Sequence, residues 1–406
     1  MEAARRIGAE LTVASEQPST LEAANPAGLL TLNFHEPERA ADVVREFSKK
    51  TPIAGVAGVD DDTAVIAAAI AERLHMKGNP THAAEAARDK HKQRELLAAA
   101  GVPIPRFQLR LLAEDPEQVA RSVTYPCVLK PLRLSASRGV MRADSPKAFV
   151  AAHERLQAIL AEPDAAACGE PSWQYLVEEF IPGYEVALEG LVVNRRLHVL
   201  ALFDKPDPLD GPFFEETIYV TPSTVPAALQ KSIGACADRA VRAMGISDGP
   251  IHAELRYNER GPWLIELAAR PIGGRCSAVL RFGDTGVSLE EIIVRHALGM
   301  PIPSLQRERL AAGVMMIPIP GAGTLKEVSG VSEARAVPLI EDVQITAHPG
   351  ERLVPFPEGS RYPGFIFARG ETPAAVEAAL RAAHQKLGFT LLPQQPPASG
   401  VGPTPP

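Results

Sequence analysis

Four cysteines, 5% aromatic residues, a formal charge of only -7 and no long apolar run set the first limits on this 406-residue chain. Cys127, Cys168, Cys236 and Cys276 lie scattered, with neither zinc-type spacing nor the density of a disulfide framework. The longest apolar run, AVIAAAIA from Ala64, is bounded by acids and falls well short of the roughly 18 residues that span a bilayer. A mild acidic excess argues against a nucleic-acid polyanion as the main partner. With no signal peptide in view, a reducing cytoplasm is the expected compartment. What remains is a chain with 46% apolar and 22% charged residues, long enough for two or three packed domains.

The most informative stretch is PIHAELRYNERGPWLIELAARPIGGR, from Pro250 to Arg275. Two apolar segments flank a polar, glycine-containing break, the pattern of a β-hairpin. Strand alternation puts His252, Glu254 and Arg256 on one face and groups Leu264, Glu266, Ala268 and Arg270 on a face of the second strand. A turn centred on Arg260 sets Glu254 opposite Glu266, where like charges about 5 Å apart repel by roughly 3 kcal/mol at an effective dielectric near 20. The chain can meet that cost by protonating one acid or by placing a divalent cation between them; an exposed hairpin with a salt bridge is the plain alternative. Arg270, on the same side, could stabilise charge developing on a reacting carboxylate or phosphoryl group. Gly273 and Gly274 permit close backbone approach to a ligand carboxylate, or simply make a turn.

Upstream, MEAARRIG reads as a helix ending at Gly8, followed by strands ELTVAS and LLTLNF, a helix from Pro37 to Lys50, the strand PIAGVAGV and a helix from about Asp62 to Met76. That alternation predicts an open parallel α/β unit. From Thr81, a threonine N-cap opens a long helix that stops at Gly101. YPCVLKP places Lys130 at the end of an apolar run, an unusual position for an unpaired charge. The following LRLSASRGVMR can turn backbone N-H groups and the hydroxyls of Ser135 and Ser137 towards phosphate oxygens, with Arg138 and Gly139 beside them, or can be an ordinary surface loop. In YLVEEFIPGYEVALEGLVV a strand breaks at Pro182-Gly183; its end can offer main-chain donor and acceptor groups, and Phe180 and Ile181 can flank a purine.

Taken together, ELAARPIGG with a glutamate twelve residues earlier in HAEL resembles the metal-binding hairpin of ATP-grasp enzymes, and is closest in wording to their L-amino-acid ligase branch. Many members of the superfamily carry an asparagine where Ala268 stands; amino-acid ligases often carry alanine there. The resemblance implies the ATP-grasp fold, two α+β subdomains enclosing ATP, over residues 85-300. It also implies an N-terminal α/β domain over 1-84, a β-rich C-terminal α+β domain over 301-390, and a disordered proline-rich tail over 391-406. An ATP-grasp N-terminal domain normally has a strand and glycine turn before its first helix; their lack leads us to expect a late-annotated start or a truncated chain. The resemblance gives roles to particular residues. Lys90 (or Lys92, should the register slip), Lys130, Ser135, Ser137, Arg138 and Gly139 hold the ATP phosphates; Glu178, Glu179, Phe180 and Ile181 form the adenine hinge; Glu185 takes the ribose. Glu254 and Glu266 ligate Mg2+ or Mn2+. Lys205, Glu216 and Tyr219 line the acceptor pocket with Gly273 and Gly274, and Arg270 is catalytic. His296 is expected to be structural. The implied activity is ATP- and magnesium-dependent joining of a small carboxylate, such as an amino acid, to an amine through an acyl phosphate. The competing expectations are an ATP-grasp carboxylase or carbamoyl-phosphate-like enzyme acting on bicarbonate, and a noncatalytic ATP-binding protein. Partners are small molecules, with no nucleic acid or membrane; a homodimer is compatible with this reading.

Overall fold

In the computed structural model, which describes residues 1-19, 25 and 27-392, the acidic segment forms two antiparallel strands, Gly249–Asn258 and Gly261–Ala268. Ile251, Ala253 and Leu255 are fully buried and pack against the helix Ala227–Ala243 through Ile233, Cys236, Ala237 and Ala240. This apolar face fixes the hairpin, so that the alternate residues His252, Glu254 and Arg256 face the other way.

The hairpin is one edge of an eight-stranded antiparallel sheet. From that edge it continues through Tyr184–Val193, Arg196–Asp204, Ile218–Thr221, Ala311–Met316, Gly364–Gly370 and Ile340–Ile345. The last three strands lie beyond residue 300, so one sheet runs across the boundary expected there. A separate four-stranded sheet, in the order Phe107–Leu111, Gln174–Glu179, Cys127–Pro131, Met141–Ala143, packs on the helix Pro146–Leu160 and makes a small lobe with its own core.

The N-terminal region differs from expectation in detail. Val13–Ser15 and Leu29–Thr31 do pair in parallel, beside helices Pro37–Ser48 and Asp61–Arg73. PIAGVAGV, however, is not a strand: its backbone at Gly55 and Gly58 is pressed against the Ala297 carbonyl and the Thr63–Ala64 backbone, where a Cβ would lie within 2.7 Å of backbone atoms. The long helix from Thr81 is two helices, Thr81–Arg88 and Lys90–Ala99. Asp89 sits extended between them and its carboxylate accepts the N-H groups of His91 and Lys92, capping a new helix and placing Lys90 at its first position. Thr81 is not the N-cap either; Pro80 is, and the Thr81 hydroxyl bonds to Glu72. Of the disordered tail expected over 391-406, Leu391 and Leu392 instead end the strand Gly388–Leu392, which pairs with Gly323–Ser329, and the rest, from Pro393, lies outside the described residues. Among the described residues, no helix is long and apolar enough to cross a membrane.

Candidate active site

A cavity of about 300 Å³ opens between the small lobe and the polar face of the large sheet. Its walls bring together Lys90, Lys130, Ser135, Ser137, the hinge 178-181, Glu185, Glu216, Tyr219, Glu254, Glu266, Arg270, Gly273 and Gly274, residues spread over nearly 200 positions of sequence.

At one end, the two lysines are already engaged. Lys90 Nζ donates to the Leu134 carbonyl (2.9 Å) and lies 3.1 Å from Glu266. Lys130 Nζ is 2.9 Å from Glu178, whose carboxylate is also gripped by Arg94 at 2.7 and 3.2 Å. Burial alone pushes the Glu178 carboxyl upward, but the charges of Arg94 and Lys130 outweigh it and hold the pKa at about 2. The Glu178 side chain thus lies beneath the hinge as an anchor. Of the hinge amides, Glu179 N-H donates to Arg106 and Phe180 N-H to Pro126, which leaves the Ile181 N-H without a partner among the described residues. The Phe180 ring is already covered by guanidinium groups, with Arg142 at 4.1 Å and Arg256 at 4.9 Å from its centre, so it does not present a free face to a purine.

The serine loop has left-handed backbone at Ala136, Ser137 and Gly139, a conformation that curls successive amides inward. Ser135 and Ser137 line the cavity. Arg138 does not: its guanidinium turns to Glu162 and Asp164, and that pairing outcompetes a reach into the cavity. Gly139 also lies outside the lining, where its N-H donates to the Pro357 carbonyl and ties the loop to the C-terminal region.

At the centre, Glu254 and Glu266 are direct cross-strand partners, as the sequence implies. Each holds a lysine ammonium in the position of a cation: Glu266 holds Lys90 at 3.1 Å and Glu254 holds Lys205 at 3.2 Å. Two opposed carboxylates that gather cations from both sides fit a hard divalent ion such as magnesium. A second carboxylate group, Glu185, Glu216 and Glu254, also comes within 4.8 Å, but Lys205 fills it at 2.7, 2.6 and 3.2 Å, so the pair across the hairpin is the better metal candidate. Lys205 is buried, which disfavours its charge, yet the three carboxylates hold its pKa well above 10.5. Burial raises Glu216 to about 7 against the pull of Lys205, while Lys205 and His252 hold Glu254 well below the usual range despite its burial. Glu185, expected at the ribose, divides its oxygens between Lys205 and Arg256 (3.0 Å).

At the far end, Arg270 reaches into the cavity with its guanidinium held in two hydrogen bonds, of 3.0 and 3.1 Å, by Asp61 at the start of the helix Asp61–Arg73. Glu216 accepts a short hydrogen bond from the Tyr219 hydroxyl, and Gly273, Gly274, Met316 and Tyr362 complete the wall. Asp61, Arg94 and Glu189 stand outside the set of site residues to which the sequence points. Glu189 is an acid inside the apolar strand YEVALEGLVV, a signal that alternation alone offered; the other two are recognisable only through partners far away in the chain.

The chain matches the family described as ATP-grasp domain over residues 123-279, ATP-grasp N-terminal domain over 1-78 and L-amino acid ligase C-terminal domain 2 over 315-391. It is 29% identical over 261 residues to alanine–anticapsin ligase of Bacillus subtilis (strain 168), a match covering 59% of this chain and 53% of that protein. The chain therefore spans about half the length of that relative. It is 26% identical over 307 residues to dapdiamide A synthase of Enterobacter agglomerans, covering 72% of this chain and 69% of the other. The crystal structure of L-amino acid ligase from Bacillus licheniformis superimposes with a TM-score of 0.80 at 27% identity, covering 97% of this chain and 95% of that one. Three family matches in the expected order and a shared fold over almost the whole length agree with the opposed glutamates of the hairpin: the chain belongs to the ATP-grasp family and is similar to its L-amino acid ligases.

Proposed function

We propose that this protein is an ATP-dependent carboxylate-amine ligase that joins an amino acid or related small carboxylate to an amine through an acyl phosphate. The observation that carries the reading is the Glu254–Glu266 pair, opposed across one hairpin and flanked on one side by Lys90 and on the other by Lys205. In this reading Lys90 and Lys130 exchange their present carboxylate and carbonyl partners for ATP phosphates, the serine loop covers them, and the Ile181 N-H meets the adenine edge. Glu254 and Glu266 would hold magnesium, which would supply neutralisation of charge on the phosphate oxygens.

A substrate carboxylate oxygen attacks the γ-phosphorus and displaces ADP. The amine nitrogen then attacks the acyl carbon and inorganic phosphate leaves. Asp61 fixes the Arg270 guanidinium towards the cavity, where it can face negative charge on the acyl oxygen. Positioning and charge neutralisation supply the rate, and no covalent protein nucleophile is needed. The acceptor end favours an amine over bicarbonate: Glu216, which already accepts from Lys205 and Tyr219, is one of three carboxylates that share the Lys205 ammonium, a surplus of acceptors suited to an amine and poor for a second anion.

The test is magnesium-dependent phosphate release from ATP across free amino acids, singly and in pairs, with hydroxylamine present. Release that requires a carboxylate and yields a hydroxamate is expected. ATP binding without release for any carboxylate-amine pair would refute the ligase reading.

A further inference from the structure

One buried acid is unexplained by the mechanism above. Glu189 lies in the middle of the strand Tyr184–Val193, fully inaccessible to solvent, with no arginine or lysine in a salt bridge to it among the described residues. Burying a carboxyl without a cation is costly, and its surroundings push its pKa well above the usual range. Its Oε2 accepts the Ile272 N-H at 3.1 Å, immediately before Gly273 and Gly274; its Oε1 has no partner among the described residues. Directly opposite in the strand ladder stands His252, only 7% exposed, whose Nδ1 also lacks a hydrogen-bond partner and lies 3.8 Å from Glu189 Oε2, the oxygen that accepts the Ile272 N-H. The other ring nitrogen, Nε2, is 3.6 Å from Glu254. On its second side His252 is paired with Ala268.

We propose that Glu189 and His252 are positioning residues that link the metal-binding carboxylate of Glu254 to the Ile272–Gly274 loop of the acceptor end. This rests on the ligase reading. Both imidazole gaps exceed a hydrogen bond by about half an ångström; Glu254 would close its own on leaving Lys205 for a metal, and a small turn of the imidazole ring would close the gap to Glu189. One imidazole nitrogen then orients the Glu254 carboxylate while the other meets Glu189, which anchors the loop amide. Partners of this kind behind a metal ligand change metal affinity or activity by roughly 10–100-fold when lost. The linkage makes metal affinity and amine recognition depend on the same two side chains, although neither is a metal ligand.

The experiment compares wild type with Glu189→Leu, Glu189→Gln and His252→Ala. Mn2+ affinity in the presence of ADP is measured by electron paramagnetic resonance, alongside KM for the amine, KM for ATP and thermal stability. Glu189→Leu and His252→Ala are expected to weaken Mn2+ about tenfold or more and to raise the amine KM. Glu189→Gln, which can keep both hydrogen bonds, is expected to recover most of the Mn2+ affinity lost in Glu189→Leu. A fall in thermal stability with Mn2+ affinity and amine KM unchanged would assign the pair to packing alone and overturn the proposal; so would equal defects in Glu189→Gln and Glu189→Leu. Wild-type protein that binds Mn2+ with ADP but turns over no carboxylate-amine pair would instead refute the ligase reading, while the Mn2+ comparison would still decide the linkage to Glu254.

Discussion

Replacing Glu178 with glutamine removes one charge and almost no volume from a fully buried site, and the structure sets the size of the effect. In the native protein that carboxylate takes Arg94 at 2.7 and 3.2 Å and Lys130 at 2.9 Å. Its pKa, about 2 against an ordinary 4.5, corresponds to about 3 kcal/mol of stabilisation at neutral pH, at roughly 1.36 kcal/mol per unit. Glutamine keeps one acceptor but directs an amide N-H₂ at two cations, leaving buried charges unpaired; the cost of such a loss is about 3–5 kcal/mol. With unfolding entropy near 2.1 cal/mol/K per residue, a chain of 406 residues melting as one unit loses about 4 °C. The pH dependence is the sharper test. The folded pKa is depressed, so the stabilisation is complete above about 4.5 and is lost as pH falls towards about 2. The gap between wild type and Glu178→Gln, from urea unfolding, should therefore narrow by about 2 kcal/mol between pH 7 and pH 3. A gap below about 1 kcal/mol at pH 7, or one of constant size down to pH 3, would refute the reasoning that this carboxylate is held by its two cations.

Other substitutions separate the parts of the site. Glu266→Ala should abolish phosphate release while the protein stays folded by circular dichroism, because Glu266 is partly exposed at the cavity and carries no core packing; substantial remaining turnover would remove it from the metal site. Asp61→Asn leaves the Arg270 guanidinium without its charged partner and should lower kcat roughly tenfold or more with little change in KM for ATP, measured by steady-state phosphate release. Ile181→Pro deletes the hinge N-H left without a partner among the described residues and should weaken ADP binding by up to about tenfold, read by calorimetry; unchanged affinity would move the adenine contact elsewhere.

The sequence alone determined the residues whose chemistry conflicts with their local surroundings. Lys130 at the end of a buried strand, and Glu254 alternating with Ile251, Ala253 and Leu255, are legible from the sequence because period-two patterning fixes their faces; Glu266 is not, because Leu264, grouped with it by alternation, packs in the core on the opposite face. The order of these motifs carried the fold class as well. What lay beyond reach was pairing over distance. Arg94 meets Glu178 across 84 residues, Arg270 meets Asp61 across 209, and Arg138 is drawn away from the cavity by Glu162 and Asp164; no local pattern encodes those choices. The hairpin shows the division most clearly. A turn centred on Arg260 does place Glu254 opposite Glu266, but the chain reaches that register differently. Asn258 pairs with Gly261 around a two-residue turn, and a bulge at Ile265 then shifts the ladder by one. Arg94 captures the carbonyl of that bulged residue. Sequence supplied the two carboxylates and the face of Glu254; tertiary structure turned Glu266 to that face and set the two opposite each other, because an arginine on a packed helix gives the bulge carbonyl a partner that the strand ladder cannot.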